Sequence, residues 1–319
     1  MAPDRIDVHH HFVPDLYRKA VHESGGDPSG WEVPNWSLES DKAFMKKHGV
    51  ATSVLSLTAP GACILKNGPQ AAELARKVNE FAAKLRDENP GSFGLLAALP
   101  SLLDKELAMA ELEYAFDTLK ADGITLFTRY GPGNHYLGHP DFKYMWEELN
   151  KRETVVFVHP THPVNTNLIS PSLPQPVIDY PFETTKAAVD LLVSRTVRSY
   201  PKVKIILSHA GGTLPYLIGR PASVMPYLDK SHNPEDLIED ARNFYYDTAV
   251  AGSTNVLTIL QNFAKPGHIL YGSDYPYAGP GIIDYHTTGL DAFPFENSSL
   301  LEGINNKNAL ALFPRLAKA

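Results

Sequence analysis

Eight short runs rich in β-branched and apolar residues recur along the 319-residue chain, at 5–9, 52–57, 93–99, 124–128, 154–159, 204–209, 244–248 and 268–273. Several are apolar at consecutive positions, as in Val-Val-Phe-Val before His159 and Ile-Ile-Leu before Ser208. That pattern belongs to parallel strands covered on both faces. Parallel neighbours need long crossovers, and amphipathic helical patterns fill the intervals at 71–88, 107–121, 139–152, 183–199 and 234–242. Asn89-Pro90-Gly91 closes the first of these and Asp122-Gly123 the second. Eight strand–helix units predict a single α/β domain over 1–319, a (β/α)8 TIM barrel with loop insertions at its C-terminal face. No linker divides the chain and no repeat is longer than the strand–helix unit. Two irregular stretches stand out. One, 12–36, follows the first strand. The other, 161–181, holds five prolines and is expected as a loop over the barrel mouth.

Composition removes several classes of partner. The net charge is −7 and no long basic run occurs, which argues against nucleic acid. The longest apolar stretches, such as 93–99, are strand-sized and too short to span a bilayer. The N-terminal residues run into Ile6-Asp7-Val8 without an apolar signal core. Cys63 is the only cysteine, so no intramolecular disulfide can form. A cytoplasmic protein without membrane contact is expected.

Barrels of this kind carry their active sites where the strands end. Four strand ends here carry metal-type side chains. The first ends His9-His10-His11, the fifth at His159, the sixth at His209, and the eighth runs through Gly-Ser into Asp274. Alternate residues of a strand share a face, so His9 and His11 point together and His10 away. A lone histidine at a strand end is as often a satisfied structural residue as a ligand. Convergence of His9, His11, His159 and Asp274 is far harder to explain that way. Three imidazoles and a carboxylate suit a borderline divalent ion such as Zn²⁺, with a position left for water or substrate.

The pattern Asp7-x-His9-x-His11, His159, His209 and Asp274 resembles the amidohydrolase superfamily. Its decarboxylase branch is resembled by longer blocks: Val158-His159-Pro160, Ser208-His209-Ala-Gly-Gly212, Tyr271-Gly-Ser-Asp274-Tyr-Pro276 and the tail Asn308 to Arg315. That branch includes aminocarboxymuconate semialdehyde decarboxylase and aromatic acid decarboxylases. Asp7-Val-His-His-His-Phe12 and the block spacing look most like the fungal 6-methylsalicylate decarboxylases. Binuclear members place a carboxylated lysine at the end of the fourth strand. Here that end reads Leu126-Phe-Thr-Arg129-Tyr130, so the resemblance implies one metal and no organic cofactor. Some aromatic decarboxylases of the branch begin Glu-x-His, from which this chain departs; that leaves the metal open, with Zn²⁺ suiting the ligands and Mn²⁺, known in related decarboxylases, the alternative the resemblance implies.

The resemblance implies further roles. Asp274 both ligates and handles a proton, with ligation alone as the rival reading, and His209 activates water or bonds a substrate oxygen, with a purely positioning role as its rival. Asp7 orients a ligand histidine, with a buried structural carboxylate as the rival reading. Arg220, eleven residues after His209, is expected to reach a partner's site in a homodimer and hold a substrate carboxylate; a surface salt bridge is the rival. Trp36, Phe182 and Tyr275 are candidates for an aromatic wall at the mouth, against the plainer reading that they pack a core. His10 and His162 are read as structural. The reaction implied is loss of CO₂ from a small aromatic acid, 6-methylsalicylate giving 3-methylphenol, with carboxylate and ortho hydroxyl both at the metal. A lactone or amide hydrolase with the same metal is the alternative, and a non-catalytic scaffold the third reading.

Overall fold

The computed structural model describes residues 4–66 and 68–318. Residues 1–3, part of the N-terminal stretch read above for a signal core, lie outside the described residues. Eight parallel strands form one sheet in sequence order: β1 Arg5–His11, β2 Val50–Ser56, β3 Phe93–Ala97, β4 Gly123–Phe127, β5 Val155–His159, β6 Lys204–Leu207, β7 Tyr245–Asp247 and β8 Ile269–Leu270. Backbone bonds from beyond β8 close the ring onto β1: Val8 N–H donates to Tyr271 O (3.0 Å), Asp274 N–H to His9 O (2.8 Å) and His11 N–H to Tyr275 O (2.7 Å). The molecule is a (β/α)8 barrel, and all eight strands fall where the apolar runs place them.

Two apolar layers follow from the strand pattern. Ile6, Val8, Val54, Leu96, Phe157 and Ile206 fill the barrel interior. The opposite strand faces pack against the surrounding helices, for example the buried stripe Leu74, Ala75, Val78, Ala82 and Leu85 of helix Gly68–Glu88. The tail closes the N-terminal end of the barrel. Leu312, Phe313 and Leu316 join the interior layer, and Arg315 pairs with Asp122 (2.6 Å), just ahead of β4.

Helix boundaries depart from the sequence reading. The stretch 161–181 is loop only in its first part, because helix Gln175–Val193 begins at Pro174-Gln-Pro176. Proline is tolerated in a first turn, where its missing N–H has no partner to lose. The region 12–36 contains helix Asp15–Glu23, again begun after a proline. The pattern at 139–152 splits into a 3₁₀ turn, Pro140–Phe142, and helix Lys143–Lys151.

One irregularity sets up the site. Ile6 and Val8 point inward, so strict alternation would send His10 inward too. The register instead slips between Asp7, opposite Ser53, and His10, opposite Leu55. An extra residue in one strand reverses its phase. His9 and His11 therefore face the barrel mouth. His10 faces outward, 5.7 Å from the Phe44 ring of helix Leu38–His48 and stacked on Tyr275.

Candidate metal centre and cavity

At the C-terminal face, His9, His11, His159 and Asp274 each offer a ligand atom, all within 4.8 Å of one another. Each imidazole is fixed from behind. His9 Nδ1 donates to Asp247 Oδ2 (2.8 Å), His11 Nδ1 lies against Ser56 O (3.2 Å), and His159 Nδ1 against Pro160 O (2.8 Å). Those acceptors assign the ring protons to Nδ1 and leave the Nε2 lone pairs facing inward. His9 Nε2 and His11 Nε2 then stand 3.1 Å apart, and Asp274 Oδ1 lies 3.4 and 3.2 Å from them. Lone pairs and a carboxylate this close repel unless a cation lies among them. Three nitrogens and an oxygen fit a divalent ion of zinc type.

Electrostatics agree. Burial lowers the His9 pKa, but Asp247 and then Asp274 outweigh it and push the ring up to about 10. Burial holds His11 below the usual imidazole value despite Asp274, and holds His159 well below it. Burial would raise Asp274, yet its bonds to His11, His209 and His9 hold it well below the usual carboxylate range. The converging groups thus call for positive charge among them.

Backbone strain accompanies two of these groups. His209 (φ 54°) and Asp274 (φ 61°) both occupy the left-handed region, which non-glycine residues rarely adopt. The turn after β6 aims His209 Nε2 at Asp274 Oδ2 (3.6 Å). Gly272 has no room for a side chain, since a Cβ there would lie 2.8 Å from His9 Cβ. The residue before Ser273-Asp274 must be this small for the chain to pass β1.

Next to the centre lies a cavity of about 370 Å³. His159, His209 and Asp274 form its inner end. Its apolar walls come from Ala59, Val177, Val250, Val256, Ala278 and Ile282. Trp31, Tyr180 and Tyr277 supply its aromatic faces, and Asp27, Ser29 and Thr58 its remaining polar groups.

A family model described as amidohydrolase matches residues 6–315. The chain belongs to the amidohydrolase family. Among relatives, it is 49% identical over 314 residues to 6-methylsalicylic acid decarboxylase of Penicillium expansum, covering 98% of this chain and 97% of that one. It is 48% identical over 324 residues to 6-methylsalicylic acid decarboxylase acuB of Aspergillus aculeatus, covering 99% and 97%. Among solved structures, an amidohydrolase II matches with a TM-score of 0.88 and 27% identity, covering 98% of this chain and all of that one. A dihydroxybenzoic acid decarboxylase from Polaromonas, solved with manganese and 2-nitroresorcinol, matches with a TM-score of 0.83 over 98% and 97% of the chains. Its 24% identity makes that a likeness of fold.

This amidohydrolase brings His9, His11, His159, His209 and Asp274 together and leaves other expected residues outside the cavity. Trp36 Nε1 donates to Asp41 Oδ2 (2.8 Å), in the layer outside the barrel. Phe182 is exposed on helix Gln175–Val193. Tyr275 stacks on His10 and Phe44, because its neighbour Asp274 takes the inward direction. Arg220 lies exposed on helix Gly219–Leu228 and does not line the cavity of its own chain. His162 sits beside the mouth, its backbone carbonyl accepting from Arg129 Nε (2.9 Å). Burial lowers its pKa to about 4.

Asp7 does not bind a ligand ring. Its carboxylate accepts from His10 Nδ1 (3.0 Å), Ser273 Oγ (2.5 Å) and the His9 and Ser273 amides. The strand slip carries it to the His10 side. Asp247 holds His9 instead, and its other oxygen accepts from the amides of His209 and Ala249, each 3.0 Å away. Sequence reasoning passed over Asp247. The available signal was an acidic residue ending an otherwise aromatic strand, Tyr245-Tyr246-Asp247. Trp31, Tyr180 and Tyr277 were missed because nothing local distinguishes cavity aromatics from the chain's other rings.

Proposed function

We propose that this amidohydrolase decarboxylates a salicylate-type aromatic acid, with 6-methylsalicylate, giving 3-methylphenol and CO₂, as the substrate. What supports this most is identity of 47–49% along nearly the whole chain to fungal decarboxylases, two of them named for 6-methylsalicylic acid, in a chain whose strand ends bring His9, His11, His159 and Asp274 together. His9, His11, His159 and Asp274 hold the ion, zinc by the chemistry of the donors and manganese as the second choice. When bound, the ion supplies Lewis acidity that stabilises negative charge on substrate oxygens.

The chain's own groups do the rest. The cavity seats the ring against apolar walls with its carboxylate and ortho hydroxyl toward the inner end. Asp274 accepts the hydroxyl proton and delivers it to the ring carbon bearing the carboxylate. The bond from that carbon to the carboxylate then breaks, its electron pair returns to the ring, and CO₂ leaves. The phenolate takes a proton from water on release. His209 donates a hydrogen bond to a substrate oxygen, and the cavity walls keep bulk water from the protonated ring.

A homodimer with Arg220 completing the partner's site is part of this reading. Helix Gly219–Leu228 and the turn before it carry Tyr216, Tyr227 and Leu228 at 80%, 90% and 75% exposure, an apolar face suited to a second copy.

Incubation of the zinc- or manganese-loaded protein with 6-methylsalicylate in D₂O should release CO₂ and place one deuterium on the carbon that lost it. The ortho-methoxy analogue has no hydroxyl proton to give, so its turnover should fall by two or more powers of ten, about 3 kcal/mol of barrier. A normal rate on that analogue overturns the mechanism. Turnover of lactones or amides alone replaces the reading with a hydrolase.

A further inference from the structure

The insertion after β1 contains Gly25-Gly-Asp-Pro-Ser-Gly-Trp31, which the reaction above leaves unused. Its backbone is tightly specified. Gly25, Gly26 and Gly30 have φ of 92°, 97° and 79°, and a Cβ on any of them would meet only open space. Glycine is thus used there for conformation and not for want of room. Asp27 Oδ1 accepts from Ser29 N–H (2.8 Å), Asp27 O from Gly30 N–H (3.0 Å), and Ser29 Oγ from Trp31 N–H (3.3 Å). Ser29 O in turn accepts from Gln175 N–H (3.3 Å), pinning the turn to the start of helix Gln175–Val193. The outcome is that Asp27, Ser29 and Trp31 all line the cavity that also holds Asp274 and His209.

The charge balance of that cavity is unusual for a site that takes an acid. No lysine or arginine of the same chain lines it among the described residues, while two carboxylates, Asp27 and Asp274, do. Asp274 belongs to the metal centre. Among the described residues Asp27 has no cationic partner, and its side-chain bonds are to Ser29. Burial raises its pKa and only those bonds oppose the rise. A carboxylate kept in a cavity wall without a counter-cation costs stability, and it excludes other anions from its surroundings.

Resting on the decarboxylase reading, we propose that Asp27 is a specificity-determining residue that rejects a second anionic group on the aromatic acid. The substrate class is then narrowed to monoanionic acids whose other ring substituents are neutral, a methyl group among them.

The test compares 6-methylsalicylate with 3-hydroxyphthalate, in which a carboxylate replaces the methyl group. Asp27→Asn keeps the acceptor oxygen for Ser29 N–H, so the turn is retained, and Asp27→Ser is the second variant should Asn alter folding. Binding is read by calorimetry on the metal-loaded protein, and KM and kcat are read separately for each acid. Wild type should prefer 6-methylsalicylate by at least a hundredfold. Asp27→Asn should narrow that ratio at least tenfold, through affinity and KM for the dianion. An unchanged ratio in both variants overturns the proposal while leaving the decarboxylase reading intact. Discrimination in binding without decarboxylation of either acid does the reverse.

Discussion

His10 lies between two buried carboxylates, Asp7 Oδ2 at 3.0 Å and Asp41 Oδ2 at 3.1 Å. Burial disfavours a charged ring, but Asp41 and Asp7 together outweigh it and hold the pKa at about 10, against an ordinary 6.5. A group raised in the folded state adds stability that is fully present below its unfolded pKa and lost as pH rises through its folded one. Unfolding free energy should therefore fall between pH 6.5 and 10, and His10→Phe should flatten that part of the profile. The variant should also cost about 3–5 kcal/mol near neutral pH, since two buried carboxylates lose their shared cation. Denaturant titrations across that pH range check both points; an unchanged slope means the ring is neutral. Asp247 makes the corresponding prediction for the metal. Asp247→Ala removes the acceptor that fixes the His9 ring and should weaken metal affinity about 10- to 100-fold, read by chelator competition. A loss under threefold would show that β1 alone orients the ring.

At the scale of elements, the strands were legible and the phase of β1 was not. Buried parallel strands write themselves as apolar runs, and their ends mark where ligands collect, so His9, His11, His159, His209 and Asp274 could be gathered without coordinates. The slip between Asp7 and His10 leaves no mark in Ile-Asp-Val-His-His-His, because every residue of β1 is buried on either face. That is why Asp7 was assigned to the wrong histidine. Helix Gln175–Val193 was read as starting late, since Pro176 and Pro181 resemble loop residues until the first-turn position of Pro176 is known. Helix Gly219–Leu228 carries the other prediction at this scale. If its apolar face joins two copies, Tyr227→Glu with Leu228→Glu should turn a dimer into a monomer in sedimentation velocity. Mixed Arg220→Ala and Asp274→Asn subunits, each inactive alone, should recover activity on exchange. No recovery after demonstrated exchange would confine Arg220 to its own chain.

For the whole molecule, the ion and the fold make separable contributions. The ring closes through backbone bonds of β1 to Tyr271, Asp274 and Tyr275, and the tail seals the opposite end with Leu312, Phe313 and Leu316. Neither closure passes through a ligand side chain. An ion held by His9, His11, His159 and Asp274 would join β1, β5 and the segment after β8, three elements that the unfolded chain cannot bring together. A ligand bound only by the folded state adds stability by mass action, about 4 kcal/mol when its concentration is a thousand times Kd. For a chain of this size that corresponds to roughly 6 °C of melting temperature. Exhaustive chelation should therefore abolish turnover and lower the melting temperature by that order, while the far-UV circular dichroism at 25 °C stays that of the loaded protein. Adding back one equivalent of zinc or manganese should restore both. The His9→Ala, His159→Ala double variant should resemble the chelated protein and gain nothing from added metal. Loss of helical signal on chelation alone would mean that the ion holds the barrel shut, and that the backbone bonds between β1 and the segment after β8 do not suffice.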